Sequence, residues 1–231
     1  MNTVIEAVGL TKQFGKKTAV NKIDFKVNRG EVFGLLGPNG SGKTTTLSMM
    51  LTLLKPTSGS IQLFGSNDLT SALKRIGVLL ESANYYPELS AEKNLLITSH
   101  IKGVDTKKID EVLEKTGLTE NKRNKVKTFS LGMKQRLSIA AALMSDPELM
   151  IFDEPTNGLD PQGIAEMRHL IGELAKEGKT ILIASHLLSE MEKICTHIAI
   201  LKNGVILEQG ELKTLMQEHG SLEEYFLSKT K

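Results

Sequence analysis

The stretch Glu31-Val32-Phe33-Gly34-Leu35-Leu36-Gly37-Pro38-Asn39-Gly40-Ser41-Gly42-Lys43-Thr44-Thr45-Thr46-Leu47 decides the fold. A short apolar run of strand length leads straight into the pattern G-x-x-x-x-G-K-[ST], and Leu47, Met49, Met50 and Leu51 then follow at helical spacing. That strand–loop–helix context separates a phosphate loop from a glycine-rich turn with an incidental lysine. Gly37, Pro38, Asn39, Gly40, Ser41 and Gly42 would turn backbone N–H groups toward phosphate oxygens, and the following helix N-terminus, with Thr45 in its first turn, adds partial positive charge. Lys43 would neutralise the β and γ phosphates and Thr44 would offer its hydroxyl to Mg²⁺. Nucleoside triphosphate binding is the first expectation.

Working outward, Val4 to Val8, Ile23 to Val27, Ile61 to Phe64 and Ile76 to Leu80 are short apolar runs between turn signals and read as strands. From Ser90 to Ser145 the pattern is helical, with Leu95, Leu96, Ile109, Val112 and Leu113 at helix-like spacing. Unbroken apolar runs return at Leu149 to Phe152 and Ile181 to Ala184. Such runs, flanked by helices, suit parallel strands covered on both faces. The expected fold is therefore α/β with a helical insertion, and ligands belong at the C-terminal strand ends.

The run Leu149-Met150-Ile151-Phe152-Asp153-Glu154-Pro155 puts two carboxylates at one such end. Adjacent carboxylates on a loop are ordinarily just solvated. Closing an apolar strand and followed by proline, Asp153 is placed to hold Mg²⁺ through its water shell and Glu154 to polarise an attacking water. The other apolar run ends in Ala184-Ser185-His186, so His186 falls at the same edge, where it is a candidate γ-phosphate contact.

Composition sets the remaining bounds. The 231 residues carry 29 basic and 27 acidic side chains, a net charge of +2, which argues against a nucleic-acid binder with a dominant basic surface. The single Cys195 excludes an internal disulfide framework and a cysteine zinc cluster, and reads as a small buried hydrophobe. No apolar run approaches the roughly 18 residues of a membrane helix, and Met1 to Glu6 lacks the features of a secretory signal, so a cytoplasmic location is expected.

A further motif, Phe129-Ser130-Leu131-Gly132-Met133-Lys134-Gln135-Arg136, stands about twenty residues before Asp153-Glu154. It is similar to the signature of the ATP-binding cassette transporters, usually Leu-Ser-Gly-Gly-Gln. With the phosphate loop and the carboxylate pair, it makes residues 3 to 215 resemble the nucleotide-binding subunit of that family. The resemblance implies a P-loop ATPase with a parallel central sheet, an N-terminal antiparallel β subdomain and an inserted α-helical subdomain. One cassette would span 1–231, with its core at about 1–82 and 146–215, helices at 83–145 and a tail at 216–231. It also implies ATP and Mg²⁺, and a head-to-tail dimer of cassettes in which Ser130 and Gly132 of one subunit cap the nucleotide of the other. Asn157-Gly158-Leu159-Asp160 would run along the seam. Transmembrane permease subunits would be the partners, placing the chain on the cytoplasmic face of the membrane, and no nucleic acid is expected. Ser130 independently reads as a helix N-cap before Met133 to Ser145. A lone Phe14 reads as core by itself; its context in Leu10 to Gly15 resembles the aromatic that stacks on adenine.

Departures from the pattern are informative. Leu131 replaces a glycine, at a position where positive φ would be costly, and Met133 replaces a glutamine. Glu81 stands where the family has a glutamine that contacts Mg²⁺ and water at the hinge to the helical insertion; it would bring a negative charge to the metal, or else face solvent. These changes resemble the bacitracin-resistance and lantibiotic-immunity exporters, which favours export of an antimicrobial peptide or another amphipathic compound. A soluble cassette ATPase without a permease is the alternative. The basic run Asn121 to Lys127 reads as a solvated loop or a lipid-headgroup contact, and Ser221 to Lys231 as an amphipathic helix packed on the domain or on a partner.

Overall fold

Val32–Leu36 (β3) is buried along its whole length because both faces of the strand are covered. Val32 and Leu36 point into one hydrophobic layer and Phe33 and Leu35 into the other. The same alternation divides Leu149–Asp153 (β6), with Met150 and Phe152 opposite Leu149 and Ile151, and Thr180–Ser185 (β7), with Ile181 and Ile183 opposite Leu182 and Ala184. Continuous apolar runs thus hide a period of two. Each fully buried Ile or Leu contributes roughly 1.5–3 kcal/mol, so these strands are held mainly by the layers that sandwich them.

The computed structural model describes residues 2–80, 85–217 and 219–230. The central sheet has the order β5-β6-β7-β3-β8-β9, where β5 is Ile76–Leu79, β8 His197–Lys202 and β9 Val205–Glu211. All neighbours pair in parallel except β9, which runs antiparallel to β8. The last two strands extend the sheet beyond those expected from the sequence. Ile198 to Leu201 are fully buried in β8, whereas β9 alternates half-buried and exposed residues and lies at the edge.

A second, antiparallel sheet of order β2-β1-β4 comprises Thr3–Phe14 (β1), Lys17–Asn28 (β2) and Ser58–Leu63 (β4). Both hairpin strands are longer than the expected Val4–Val8 and Ile23–Val27. One face is solvated, so polar residues such as Lys12, Gln13 and Lys17 continue the strands without an apolar signal. The ring of Phe25 stacks on Phe33, with centroids 5.9 Å apart, and joins this sheet to the central one.

Between Tyr85 and Ser145 the described residues form no strand, and the helices are Ala91–Lys102 (α3), Lys108–Lys115 (α4) and Leu131–Leu143 (α5). They follow Lys43–Met50 (α1) and the short Leu69–Ala72 (α2). The helix after Ser130 begins at Leu131, earlier than the expected Met133. Ser130 Oγ accepts the Met133 N–H at 3.2 Å, which makes Met133 the third residue of the helix. Leu131 is therefore helical and needs no positive φ. Pro161–Lys176 (α6), capped by Asp160, and Leu188–Ile194 (α7) complete the cover of the sheet. After Leu212–Leu215 (α8), the tail helix Leu222–Thr230 (α9) packs on the domain: Leu222 and Tyr225 are buried, and the Leu222 N–H donates to Glu192 at 2.8 Å.

Within the basic run, Lys122 pairs with Asp110 at 2.7 Å and Lys127 with Glu88 at 3.0 Å. Cys195 lies against Met191, and burial pushes its thiol pKa up to about 12. Among the described residues no helix is long and apolar enough to cross a membrane.

Candidate active site

The site is built by strand order. Leu36, the last residue of β3, lies opposite Ser185 of β7, and Ala184 of β7 lies opposite Asp153 of β6. The segments after these three strands therefore open at one edge, which brings Gly37, Glu154 and His186 together although they are far apart in the chain.

The loop from Gly37 to Gly42 is shaped by contacts behind it. A Cβ on Gly37 would stand 2.2 Å from the Leu201 carbonyl, and one on Gly42 would stand 2.6 Å from the Ala19 carbonyl. Gly42 also has φ 113° and forms the N-cap of α1 without a side-chain cap, which leaves N–H groups of the first turn to a ligand. The loop is tied to the β8–β9 turn, where the Gly204 N–H donates to the Ser41 carbonyl at 2.9 Å.

Lys43 is buried, with 5% of its side chain exposed, and its Nζ donates to the Gly37 and Pro38 carbonyls at 2.8 and 3.3 Å. The same Nζ lies 3.4 Å from Glu154 Oε1. The other oxygen, Oε2, is 2.9 Å from His186 Nδ1 and accepts from Ser185 Oγ at 3.3 Å. An ionised Glu154 requires the proton on Nδ1, which leaves Nε2 as the free ring nitrogen. Glu154 has φ 51°, a left-handed conformation that costs a side-chain-bearing residue roughly 1–2 kcal/mol. It is anchored there by its N–H to the Ala184 carbonyl at 2.9 Å, so backbone strain is spent on aiming one carboxylate between a lysine and a histidine.

A cavity of about 490 Å³ opens over these groups. Of the residues expected from the sequence, Phe14, Asn39, Gly40, Gly42, Lys43, Thr44, Thr45, Glu154 and His186 line it. Gly37 and Ser41 are buried behind the loop, Pro38 is exposed, and Asp153 is buried at the end of β6. Glu81 lies outside the described residues. Ser130 and Gly132 are not brought to this cavity. They line a separate one of about 460 Å³ with Gly158, Leu159 and Asp160.

Lys17, Ala19 and Asn157 also line the nucleotide-sized cavity. Phe14 is paired with Lys17 across the Gly15-Lys16 turn, so the hairpin brings Lys17 with it. Recognising the two-residue turn between polar strand ends would have found that residue.

No set of three or more His, Cys, Asp or Glu among the described residues could hold a metal ion by itself. Thr44, which lines the cavity, offers a hydroxyl, and Asp153, beside Glu154 at the end of β6, offers a carboxylate. This hard-oxygen pair fits a cation such as Mg²⁺, which takes one or two protein ligands and completes its shell with phosphate and water.

Residues 20–157 match the family described as ABC transporter. The chain is 48% identical to the bacitracin transport ATP-binding protein BcrA of Bacillus licheniformis, over 99% of this chain and 76% of that protein. It is 41% identical to the lantibiotic transport ATP-binding protein SrtF of Streptococcus pyogenes, over 90% of this chain and 91% of that protein. Among solved structures, an ATP-binding subunit of an ABC transporter superposes with a TM-score of 0.87 at 28% identity, covering 99% of this chain and 100% of the other. The chain therefore belongs to the ABC transporter family, among its ATP-binding, ATP-hydrolysing subunits.

Proposed function

We propose that this chain hydrolyses ATP at the Lys43–Glu154–His186 site to drive a separate membrane permease that exports an antimicrobial peptide or a similar amphipathic compound. The observation that carries the chemistry is the single carboxylate, lining the cavity, that Lys43 and His186 share. The 48% identity to a bacitracin transport protein supports the cargo class.

ATP would lay its triphosphate along the loop from Gly37 to Thr44. The γ-phosphate then displaces Glu154 as counter-ion of Lys43, and Glu154 turns to the attacking water. The bond between the water oxygen and the γ-phosphorus forms as the bond to the β–γ bridging oxygen breaks, the electron pair leaving with ADP. Glu154 takes the proton of that water, and His186 holds the carboxylate in place. Thr44 and Asp153 would hold Mg²⁺, which when bound would supply charge neutralisation on the phosphate oxygens.

The signature residues Ser130 and Gly132 face a different cavity from Lys43, so within one subunit they have no access to the same nucleotide. A second cassette placed head to tail supplies them, which assigns Leu159 and Asp160 to the seam. The partners are thus a second cassette and a permease, and the chain sits at the cytoplasmic face through the latter.

The test is reconstitution with a candidate permease, a membrane protein that copurifies with this chain. Wild type should hydrolyse ATP and protect cells against bacitracin-like or lantibiotic peptides, whereas Glu154→Gln should lose hydrolysis by about 10²-fold or more and give no protection. Hydrolysis without protection against any such peptide would remove the exporter reading. Unchanged hydrolysis in Glu154→Gln would remove the assigned base.

A further inference from the structure

The phosphate end of a nucleotide is recognised by a loop between two elements of the central sheet layer, whereas Phe14 sits at the tip of a hairpin in the other sheet. A base platform at that distance is useful only if its position relative to the phosphate loop is fixed. The link is visible in the hydrogen bonds around Lys12.

Lys12 and Phe14 are two residues apart on β1 and share a face. Lys12 Nζ lies 5.1 Å from the centroid of the Phe14 ring, within the range of a cation–π contact. The same ammonium donates to the Lys55 carbonyl at 2.7 Å. Around it, the Gln13 N–H donates to Thr57 Oγ1 at 3.0 Å, and the Thr57 N–H donates to the Thr11 carbonyl at 2.8 Å. Gln13 Nε2 reaches the Gly15 carbonyl at 2.9 Å, bracing the turn itself.

Residues 55–57 are the segment that follows α1, and α1 begins at Lys43 in the phosphate loop. The end of β1 is thus held to the segment that joins α1 to β4, and that segment is tied back to α1 by the Leu53 and Leu54 N–H groups, which donate to the Ser48 carbonyl at 2.9 and 3.1 Å. Phe14 lines the cavity and is 46% exposed, while Lys12 is not among the residues lining the cavity. The cation thus contacts a ring that also borders the cavity, where a flat, π-bearing group can reach it. A ring held in this way loses less side-chain freedom when a base stacks on it.

We infer that Lys12 is a positioning residue for nucleotide base recognition: it clamps the Phe14 ring between its ammonium and the bound base, and ties that ring through the Lys55 carbonyl to the segment that follows α1. The inference rests on the reading of Phe14 as the surface on which the base stacks. It assigns Lys12 to affinity for the base and not for the phosphates.

The experiment compares binding of MgATP with binding of inorganic tripolyphosphate, by calorimetry, in the wild type, Lys12→Met, Lys12→Arg, Phe14→Ala and the Lys12→Met/Phe14→Ala double variant. Lys12→Met should weaken MgATP binding by about two- to fivefold, the size of an exposed cation–π contact, and leave tripolyphosphate unchanged. Lys12→Arg should bind MgATP as the wild type does, and Lys12→Met should add nothing in the Phe14→Ala background. An equal loss for both ligands, or a full loss in the Phe14→Ala background, would show a general charge effect and overturn the assignment. If Phe14→Ala weakens MgATP and Lys12→Met does not, the Lys12 role falls and the base platform stands. If Phe14→Ala binds MgATP like the wild type, the platform reading itself falls and takes the Lys12 role with it.

Discussion

The contact between Lys43 and Glu154 makes a sharp prediction for Glu154→Gln. The Lys43 side chain is 5% exposed, and its ammonium has three acceptors: the Gly37 carbonyl at 2.8 Å, the Pro38 carbonyl at 3.3 Å and Glu154 Oε1 at 3.4 Å. Only the last carries a charge. Breaking a buried ion pair by removing one partner costs about 3–5 kcal/mol. Here the carboxylate oxygen stands beyond the 2.7–2.9 Å of a strong charge-assisted bond, and the glutamine amide keeps an oxygen at the same place, so the expected loss falls to about 2 kcal/mol. For a chain of 231 residues this lowers the Tm by about 4–8 °C. Saturating MgATP supplies phosphate oxygens in place of the lost charge. The variant should therefore recover most of its deficit on binding, and its ATP-induced rise in Tm should exceed that of the wild type by about the same 4–8 °C. Differential scanning calorimetry with and without nucleotide measures both quantities. An equal deficit in the two conditions would refute the idea that Glu154 is the counter-ion that phosphate replaces.

Other outcomes follow from single contacts. Glu148 accepts from Arg75 Nε at 2.6 Å and from Arg29 Nη1 at 2.8 Å, and these hydrogen bonds, that of Arg75 first, lower its pKa to about 2. Because the folded pKa is depressed, the stabilisation is present above the usual carboxylate range near 4.5 and is lost as pH falls toward about 2; urea denaturation of Glu148→Gln should show a flatter pH dependence across that window than the wild type. The effect should be modest, because the carboxylate is 37% exposed. In Gly158→Ala the new Cβ would stand 3.1 Å from Leu131 Cδ2 at a backbone φ of +74°, so chemical denaturation should show a loss of about 1–2 kcal/mol. Adding Leu131→Gly should relieve the contact but leave the backbone cost. Cys195, buried and with its thiol pKa raised to about 12, should resist thiol reagents at neutral pH in the native protein and react at the rate of unfolding.

The parts of the fold legible in the sequence are those with a local code. The loop from Gly37 to Thr44 is read from its spacing and its strand–loop–helix context, and Gly37 and Gly42 answer to contacts with Leu201 and Ala19 that any side chain would violate. Ser130 is legible as a cap because the capped N–H is only three residues on. The hairpin ends were not, and with them went Lys17. Polar residues on a solvated strand carry no apolar alternation, and Phe14 becomes a cavity wall only because β1 continues through them. β9 is not legible because it is an edge strand of half-buried and exposed residues, whereas Ile198 to Leu201 of β8 form a buried apolar run of the kind that reads as a strand elsewhere in the chain.

The sequence by itself determined which residues could handle a triphosphate: the phosphate loop, the carboxylates of Asp153 and Glu154, and His186 after an apolar strand. Each is a short-range pattern, fixed by how many bonds separate neighbouring groups. Only the tertiary structure decided which of them meet. The apolar runs of buried parallel strands do not name their neighbours, so the order β6-β7-β3 is seen only in the folded sheet. That order puts Glu154 within reach of both Lys43 and His186, while Ser130 stays at a second cavity and the Phe14 hairpin is held to the segment that follows α1.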